Sequence, residues 1–380
     1  MMKWVGLVLL AVCFSVTSTF GVEKIVIGTD FENGGLYVPF QVEEGPDGNI
    51  YVFDAKDKAI KVYSPQGKYL LRMGGAGEGP GEFKRLGQFA FYDQDTILIT
   101  EAMGGHRWIT YLDLKGKLKK ILKVALRQDE GIDLVKKISG NRLIAEIGAY
   151  EIPRKMGSYW GIDFTSSLAT IDEEGKIKKI LSQSYLFSIA SVPDGAYKRV
   201  PFSPDDLWDI TGDETIIFSD GCSNVFKCYD LNGKPVGDIK TGLPDAVKVT
   251  QKDFDKWKED FKKKFIQKEA DWDDLMAIKN YHKSVYKVIP VFVDISITPS
   301  GNIWVWGDKE KDDTVRKYWL LNQKGKLLAK VELSATQVRF SKNFIFLIAE
   351  ETEGDVVYCF KRKGPEEKDI MIIAREQQEK

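Results

Sequence analysis

A glycine-rich stretch raises the first possibility of chemistry, because five glycines fall within eight residues, at positions 74, 75, 77, 79 and 81. A glycine-rich turn between a strand and a helix can present backbone N–H groups to a phosphate. Here no Gly-Lys-Ser/Thr follows, and the spacing is not G-x-G-x-x-G. The next run, QFAFYDQDTILIT, is rich in β-forming residues and lacks a helical period. The sequence therefore favours a sharp turn between strands over a phosphate site.

Nucleophilic and zinc chemistry find little support. The chain has no nucleophile elbow and no H-E-x-x-H motif, and its two histidines, His106 and His282, are far apart. His106 is interpreted as a polar loop residue, and no catalytic residue is predicted. Cys222, Cys228 and Cys359 are too few for a disulfide scaffold, so we interpret them as buried hydrophobic residues with one optional disulfide.

Ligand binding is better supported, by aromatic and arginine residues in long insertions. Two such insertions are GAYEIPRKMGSYWGIDFTS, after Ile147, and SYLFSIASVPDGAYKRVPFSPDD, which follows it. Aromatic faces stack on ligands, and guanidinium groups donate charge-assisted hydrogen bonds. The predicted ligand-binding residues are Arg107, Trp108, Arg154, Tyr159, Trp160, Tyr197, Arg199 and Trp208. Alternatively, Trp108 and Trp208 belong to the core and the arginines to a solvated rim.

Composition limits the class of partner. The 380 residues are 43% hydrophobic, which is enough for a large core, and the formal net charge is −1. Near-neutral charge argues against nucleic acid or an anionic membrane surface as the main partner.

The N-terminal residues have the pattern of a targeting sequence. Lys3, the apolar run WVGLVLLAV and the small residues that follow predict a secretory signal peptide over residues 1–21, with the mature domain at 22–380. No later segment is long and apolar enough to predict a transmembrane helix, so we expect a secreted or periplasmic protein. A lipid anchor at Cys13 is the alternative, although Val12 stands where a lipobox has a small residue.

Internal repeats indicate which elements position these residues. A tight turn followed by an apolar strand recurs as DGNIYVFD, DQDTILIT, SGNRLIAE, TGDETIIFSD, SGNIWVWGD and SKNFIFLIAE. Further along the chain, each of these strands is followed by a second turn. These turns are SPQGK, DLKGK, DEEGK, DLNGK, NQKGK and a degraded KRKG. Alternating β runs between and beside these turns predict six antiparallel meanders of four strands.

Such meanders cannot bury both faces alone, and radial repetition around a channel covers them. The sequence therefore predicts an all-β, six-bladed β-propeller. The strand EKIVIGTD precedes the first complete unit, and the last unit lacks a strand. We expect the N-terminal strand to complete the final blade and close the ring.

The stretch GPDGNIYVFDAKDKAIKVYSPQGKYLLRMGGAGEGPGEF resembles the NHL-type repeat. The whole chain is similar to the secreted bacterial six-bladed propellers of that superfamily. This resemblance implies a non-catalytic binding or interaction protein, which holds a protein, peptide, glycan or small anionic ligand at the channel mouth and long loops, without a cofactor.

The resemblance also implies an alternative, because gluconolactonase-like propellers are hydrolases that hold calcium in the channel. Among the inner strands of this chain, only Asp209 and Asp294 are candidates as calcium ligands. The same two aspartates are otherwise expected to accept hydrogen bonds that stabilise the blades.

One more insertion separates the fourth and fifth blades. Phe254, Trp257, Phe261 and Phe265 recur with the period of an amphipathic helix, and Thr250-x-x-Asp253 is a capping signal. We expect a helical insertion over about residues 250–284. It is interpreted as a structural cover, with a lid over the channel or a docking surface as alternatives.

Overall fold

A computed structural model of the chain describes residues 22–77, 79, 81–84, 86–101, 107–150, 154–156, 159–190, 197–199, 207–265, 288–309, 315–351 and 354–378. The predicted signal peptide, Cys13 and both histidines lie outside these ranges, so the predictions for them stay predictions.

The apolar repeats form strands. In the first half of the chain they are β1 (Lys24–Ile27), β2 (Pro39–Glu44), β3 (Ile50–Asp54), β4 (Ala59–Tyr63), β5 (Tyr69–Gly74), β6 (Leu86–Phe91), β7 (Thr96–Glu101), β8 (Trp108–Asp113), β9 (Leu118–Lys123), β10 (Glu130–Lys137), β11 (Leu143–Tyr150), β12 (Arg154–Met156), β13 (Tyr159–Ile171), β14 (Ile177–Ala190) and β15 (Tyr197–Arg199). In the second half they are β16 (Leu207–Ile210), β17 (Ile216–Ser219), β18 (Val225–Tyr229), β19 (Pro235–Lys240), β20 (Val247–Lys248), β21 (Val288–Ile289), β22 (Phe292–Ile297), β23 (Ile303–Lys309), β24 (Arg316–Leu321), β25 (Leu327–Leu333), β26 (Gln337–Phe340), β27 (Phe344–Glu351) and β28 (Gly354–Lys361).

These strands build six antiparallel blades, which confirms the predicted six-bladed propeller. Blades I, II, IV and V are the four-stranded sheets β2–β5, β6–β9, β16–β19 and β22–β25. Blade III runs β10-β11-β13-β14-β15, with β12 paired to β13. In each blade the first strand is innermost, and the second and third carry most of the core, as the fully buried β3 and β4 illustrate.

Blade VI closes the ring. Its order is β26-β27-β28-β1, and β1 pairs antiparallel with β28 from Lys24 opposite Phe360 to Ile27 opposite Val357. The expected completion of the last blade by the N-terminal strand is therefore confirmed. It also explains why the degraded turn KRKG has no fourth strand after it.

The glycine-rich stretch crosses from β5 of blade I to β6 of blade II. Gly74 and Gly81 have φ of 80° and 81°, which side chains other than glycine rarely adopt. Phe83 is 2% exposed and packs between the two blades against Tyr51 and Phe89. The stretch is thus a tight connection anchored by an aromatic ring, as its sequence context predicts.

The described parts of the two aromatic insertions form strands of blade III. The strands β13 and β14 run for 13 and 14 residues, and their far ends pair with β12 and β15. The register places Trp160 opposite Ala190, and Ala190 opposite Tyr197. Their β-branched and aromatic content favours this pairing.

Helix α1 (Gln251–Phe265) lies between blades IV and V, flanked by the short β20–β21 pair. Its predicted capping box is present: the Thr250 backbone N–H donates to Asp253 at 2.7 Å, and Thr250 Oγ1 accepts from the Asp253 N–H at 3.4 Å. Phe254 is buried. The rest of the insertion, from residue 266 to 287, lies outside the described residues, so its predicted helix and the roles of cover, lid or docking surface stay predictions.

A second helix, α2 (Glu366–Gln378), ends the described chain and was not predicted. Ile370 and Ile373 are fully buried against Val331 and Leu333 of blade V. Asp369 accepts the N–H groups of Lys363 and Gly364, both at 3.1 Å. Within the described ranges, neither helix has the length and apolar character needed to span a membrane.

The three described cysteines are free thiols, so the optional disulfide is not formed among them. Cys228 and Cys359 are buried, as expected for small hydrophobic residues. Burial raises the pKa of the Cys222 thiol to about 11, so this thiol is a poor nucleophile at neutral pH.

Candidate ligand-binding channel

The six innermost strands surround one cavity of about 660 Å³ on the propeller axis. Small-ligand sites typically occupy about 300 to 1,000 Å³. Charged residues from all but one of the inner strands line its wall, namely Glu43, Asp133, Lys136, Lys137, Asp209, Asp294 and Arg339. Aromatic side chains, including Phe40, Phe91, Trp208, Trp306 and Phe340, line the remainder.

Asp209 links three blades around the channel. Its Oδ1 lies 2.5 Å from the Lys136 ammonium of blade III, and its Oδ2 accepts the Ile297 N–H of blade V at 2.8 Å. The Asp209 side chain is 6% exposed, whereas that of Lys136 is 33% exposed toward the cavity. This carboxylate is therefore committed to contacts within the protein.

Replacing Asp209 with asparagine should lower the free energy of unfolding by about 1 to 3 kcal/mol, because a charge-assisted contact is lost beside a buried backbone donor. Urea denaturation of both proteins measures the change. Asp238→Asn is the matched control, since Asp238 pairs with Lys227 at an exposed site and should change stability by less than about 0.5 kcal/mol. Equal losses in the two variants would contradict this role of Asp209.

Asp294 and Arg339 form a second charged contact. An Arg339 Nη1 lies 3.4 Å from Asp294 Oδ2, and the guanidinium carbon lies 4.5 Å from the centroid of the Trp306 ring. Burial raises the pKa of Asp294, although Arg339 and Lys136 oppose the shift. Its side chain is 35% exposed because it opens on the channel, where protein surrounds it on most sides. Burial likewise raises the pKa of Glu43.

Asp133 and Glu146 form a distinct acidic pair in the cavity wall. Glu146 accepts hydrogen bonds from Ser166 Oγ at 2.9 Å and from the Trp208 indole N–H at 3.0 Å. Asp133 makes no side-chain hydrogen bond or ion pair with any residue that the structure describes. Burial, with a contribution from the charge of Glu146, raises the pKa of Asp133 to about 7. A carboxyl group that lacks a partner is thus held on the wall.

Two further polar atoms on this wall lack a partner. The indole nitrogen of Trp306 and Oε1 of Gln337 are buried without a hydrogen bond to the described part of the chain. Buried polar groups are nearly always satisfied in folded proteins, and exceptions call for an explanation.

The structure places the sequence-predicted ligand residues in three settings. Trp208 lines the cavity, although it is only 5% exposed. Trp108 is 38% exposed at the start of β8 and, like Arg107 before it, is not part of the cavity wall. The other five lie on the backbone of the blade III extension, at Arg154 in β12, Tyr159 and Trp160 in β13, and Tyr197 and Arg199 in β15.

Sequence reasoning missed most of the charged wall. Glu43, Asp133, Lys136 and Arg339 all lie on strands that the repeats identify as innermost. Their positions in the repeat could have identified them. Residues at equivalent positions of the six inner strands face the same central axis.

The calcium alternative does not fit this wall. Asp209 is already bound by an ammonium group, and Asp294 faces a guanidinium group. Hard cations such as calcium need six to eight oxygen ligands, and the described residues contain no group of three acidic, histidine or cysteine side chains able to hold a metal ion.

Comparison with known proteins supports the fold. A family described as a 6-bladed beta-propeller, DUF5128, matches residues 41–141, which is less than half of the chain. No curated protein matches the sequence.

Solved structures of very different sequence share the architecture. A member of the DUF4221 family from Bacteroides vulgatus is 10% identical, with 91% of this chain and 98% of that chain covered and a TM-score of 0.54. A Bacteroides fragilis protein thought to be exported is 8% identical, with 90% and 95% covered and a TM-score of 0.51. Virginiamycin B lyase from Staphylococcus aureus is 12% identical, with 90% and 99% covered, but its TM-score of 0.45 is too low to inform function. At these identities the likeness extends to the fold alone, and this chain is a six-bladed β-propeller with a polar, aromatic-walled channel.

Proposed function

We propose that this protein is a non-catalytic binding propeller that holds a ligand in its central channel. One observation carries the proposal: a cavity of about 660 Å³ whose wall combines aromatic side chains with the carboxyl group of Asp133, which has no partner among the described residues. A ligand that donates a hydrogen bond to this carboxyl group would offset part of the cost of holding it in the wall.

The state of the charged residues favours binding over catalysis. Lys136 pairs with Asp209, and Arg339 pairs with Asp294. These ion pairs stabilise the cavity wall and leave the four side chains less available as acid, base or nucleophile. The aromatic wall adds stacking surface without adding a nucleophile. These features favour a binding module over the calcium-dependent hydrolase or lyase.

The long strands of blade III extend this site in our proposal. A peptide or glycan longer than the cavity would continue along β12 to β15, where the aromatic and arginine residues of the insertions lie. The predicted signal peptide supports a location outside the cytoplasm, in the periplasm or beyond, and the NHL-like repeats are in keeping with a binding role.

A plugging variant tests the site. Ala90 lies on the cavity wall, two residues beyond Gln88 on β6, and a tryptophan there would fill space without removing a polar contact. Thermal-shift and native mass-spectrometry measurements would compare wild type and Ala90→Trp against a panel of amines, amino acids, monosaccharides and short peptides. We expect at least one class to raise the melting temperature of wild type by several degrees and to leave Ala90→Trp unchanged.

The matched control is Val236→Trp, a bulky change at a position that is 55% exposed on blade IV. It should respond to ligands as wild type does. Binding that survives in Ala90→Trp, or a wild-type protein that binds no class in the panel, would refute the channel as the ligand site.

A further inference from the structure

The loop between β1 and β2 presents large apolar side chains to solvent. Phe31, Tyr37 and Val38 are 46%, 38% and 43% exposed. The rings of Phe31 and Tyr37 are in contact, with their centroids 5.3 Å apart. Large apolar side chains that are exposed together often mark a site of interaction with another molecule. We name these three side chains the apolar ledge.

The backbone that carries the ledge is anchored to blade I. The Asp54 carboxylate accepts the N–H groups of Tyr37 at 2.9 Å and Val38 at 3.1 Å. The buried Lys61 ammonium, which pairs with Asp54, also donates to the Gly35 carbonyl. Because an anchored surface loses little conformational freedom when a partner binds, this loop is suited to docking.

Two lysines beside the ledge have no acidic partner in the described part of the chain. Lys56 is exposed, and its ammonium lies 4.4 Å from the centroid of the Tyr37 ring. Lys58, in the same turn, is half-buried. The two carboxylates closest to them in sequence pair with Lys61 instead. The Tyr37 end of the ledge therefore carries positive charge that an acidic group of a partner would neutralise.

The polar side chains at the other end of the ledge offer few contacts. Asp30 accepts the N–H of Asn33 at 3.2 Å and its Nδ2 at 3.0 Å, so both side chains are engaged within the loop. Glu32 is exposed and adds one negative charge beside Phe31. An apolar centre with a charged rim is typical of a protein–protein interface. A glycan fits less well, because its hydroxyl groups need several free polar side chains.

We propose that the apolar ledge docks a protein partner through a segment that carries apolar side chains beside an acidic residue. The apolar side chains of the partner cover Phe31, Tyr37 and Val38, and its carboxylate pairs with Lys56 or Lys58. None of these five residues lines the channel cavity. The docking surface is therefore separate from the channel and does not depend on the proposed function.

Three peptides of equal length and with blocked ends test the surface. They alternate phenylalanine with aspartate, phenylalanine with lysine, and serine with aspartate. Fluorescence anisotropy of the labelled peptides measures their binding to the full chain. We expect the phenylalanine–aspartate peptide to bind at least about tenfold more tightly than the other two, because only this peptide combines apolar contact with opposite charge. Added salt should weaken this binding.

Serine substitutions test the apolar contact. A variant with both Phe31→Ser and Tyr37→Ser should lose at least about tenfold in affinity for the phenylalanine–aspartate peptide. Ile121→Ser is the matched control, because it removes an apolar side chain that is 59% exposed on blade II, and it should bind the peptide as wild type does. Thermal melts would verify that both variants are folded.

Glutamine substitutions test the charge. A variant with both Lys56→Gln and Lys58→Gln should lose about fivefold in affinity for the same peptide, because two exposed ion pairs are removed, and its binding should depend less on salt. Glu32→Gln changes the charge at the opposite end of the ledge and should not weaken binding.

Ala90→Trp separates this surface from the channel, and it should leave peptide binding unchanged. Loss of binding in Ala90→Trp, with full binding in the double serine variant, would locate the peptide in the channel and overturn the docking surface. The docking surface is also wrong if the phenylalanine–aspartate peptide binds no more tightly than the other two, or if no peptide binds wild type.

Discussion

Replacing Lys61 with methionine should lower the free energy of unfolding by about 3 to 5 kcal/mol, because it leaves a buried carboxylate without its cation. The Lys61 ammonium lies 2.9 Å from Asp54 and 2.6 Å from Asp57, and the side chains of Lys61 and Asp54 are 5% and 0% exposed. Lys61 also donates to the Gly35 carbonyl. This cluster joins the loop after β3 to the segment that enters blade I.

The same cluster predicts an acid dependence. Burial alone would raise the pKa of Asp54, but the Tyr37 N–H and Lys61 outweigh it and hold the pKa below its usual value. A lowered pKa in the folded state contributes stability above the unfolded pKa, and that stability is lost as the pH falls through the folded value. Wild type should therefore lose more stability than Lys61→Met between neutral pH and pH 3.

Urea denaturation at several pH values measures both effects. The control is Lys68→Met, since Lys68 is exposed in the turn before β5 and its replacement should change stability by less than about 0.5 kcal/mol. Similar losses for the two lysine variants would show that the buried cluster is not a main source of stability.

Replacing Glu366 with alanine should lower the free energy of unfolding by about 3 kcal/mol, because this carboxylate accepts hydrogen bonds from several buried donors at once. It accepts from Thr298 Oγ1 at 2.6 Å, Asn302 Nδ2 at 3.0 Å and the Ser300 N–H at 3.3 Å, and it lies 3.3 Å from Arg362. Its side chain is 0% exposed. The residue thus joins the start of α2 to the first turn of blade V.

Limited proteolysis combined with thermal melts would test this link. Glu366→Ala should expose α2 to cleavage and lower the melting temperature, while Glu367→Ala, the same change one residue later on the half-buried side of the helix, should have a much smaller effect. Equal protease sensitivity in the two variants would contradict the anchoring role of Glu366.

The architecture was predictable from the sequence because it depends on local turn chemistry. Gly48 and Gly67 have φ of 78° and 85°, a region that favours glycine. Glycines at equivalent positions recur along the chain, so the turns can be recognised in the sequence. The missing strand of the last blade and the surplus strand at the N-terminus made ring closure predictable as well.

The channel was harder to predict because its side chains do not follow a simple alternation. A bulge shifts the inside-outside pattern by one residue at Asp133 and before Asp294, so a period of two misplaces the residues around it. Pairing across blades, such as Lys136 with Asp209, joins residues 73 positions apart and leaves no local signal.

Helix α2 was not predicted because its sequence favours a strand. Three of its residues, Ile370, Ile372 and Ile373, are β-branched, which is typical of a strand. Packing against blade V and the cap from Asp369 favour the helix instead. The nearby Pro365 and the acidic residues after it were the available signal for a helix start.

The central claim is that the ligand lies in the channel, and hydroxyl-radical footprinting tests it most directly, with the panel compound that raises the melting temperature of wild type most. Phe40 on the channel wall and Phe31 away from it are 47% and 46% exposed, which makes them a matched pair. We expect this compound, at a saturating concentration, to slow oxidation of Phe40 and to leave oxidation of Phe31 and Trp108 unchanged. Protection of Phe31 or Trp108 with none at Phe40 would contradict it.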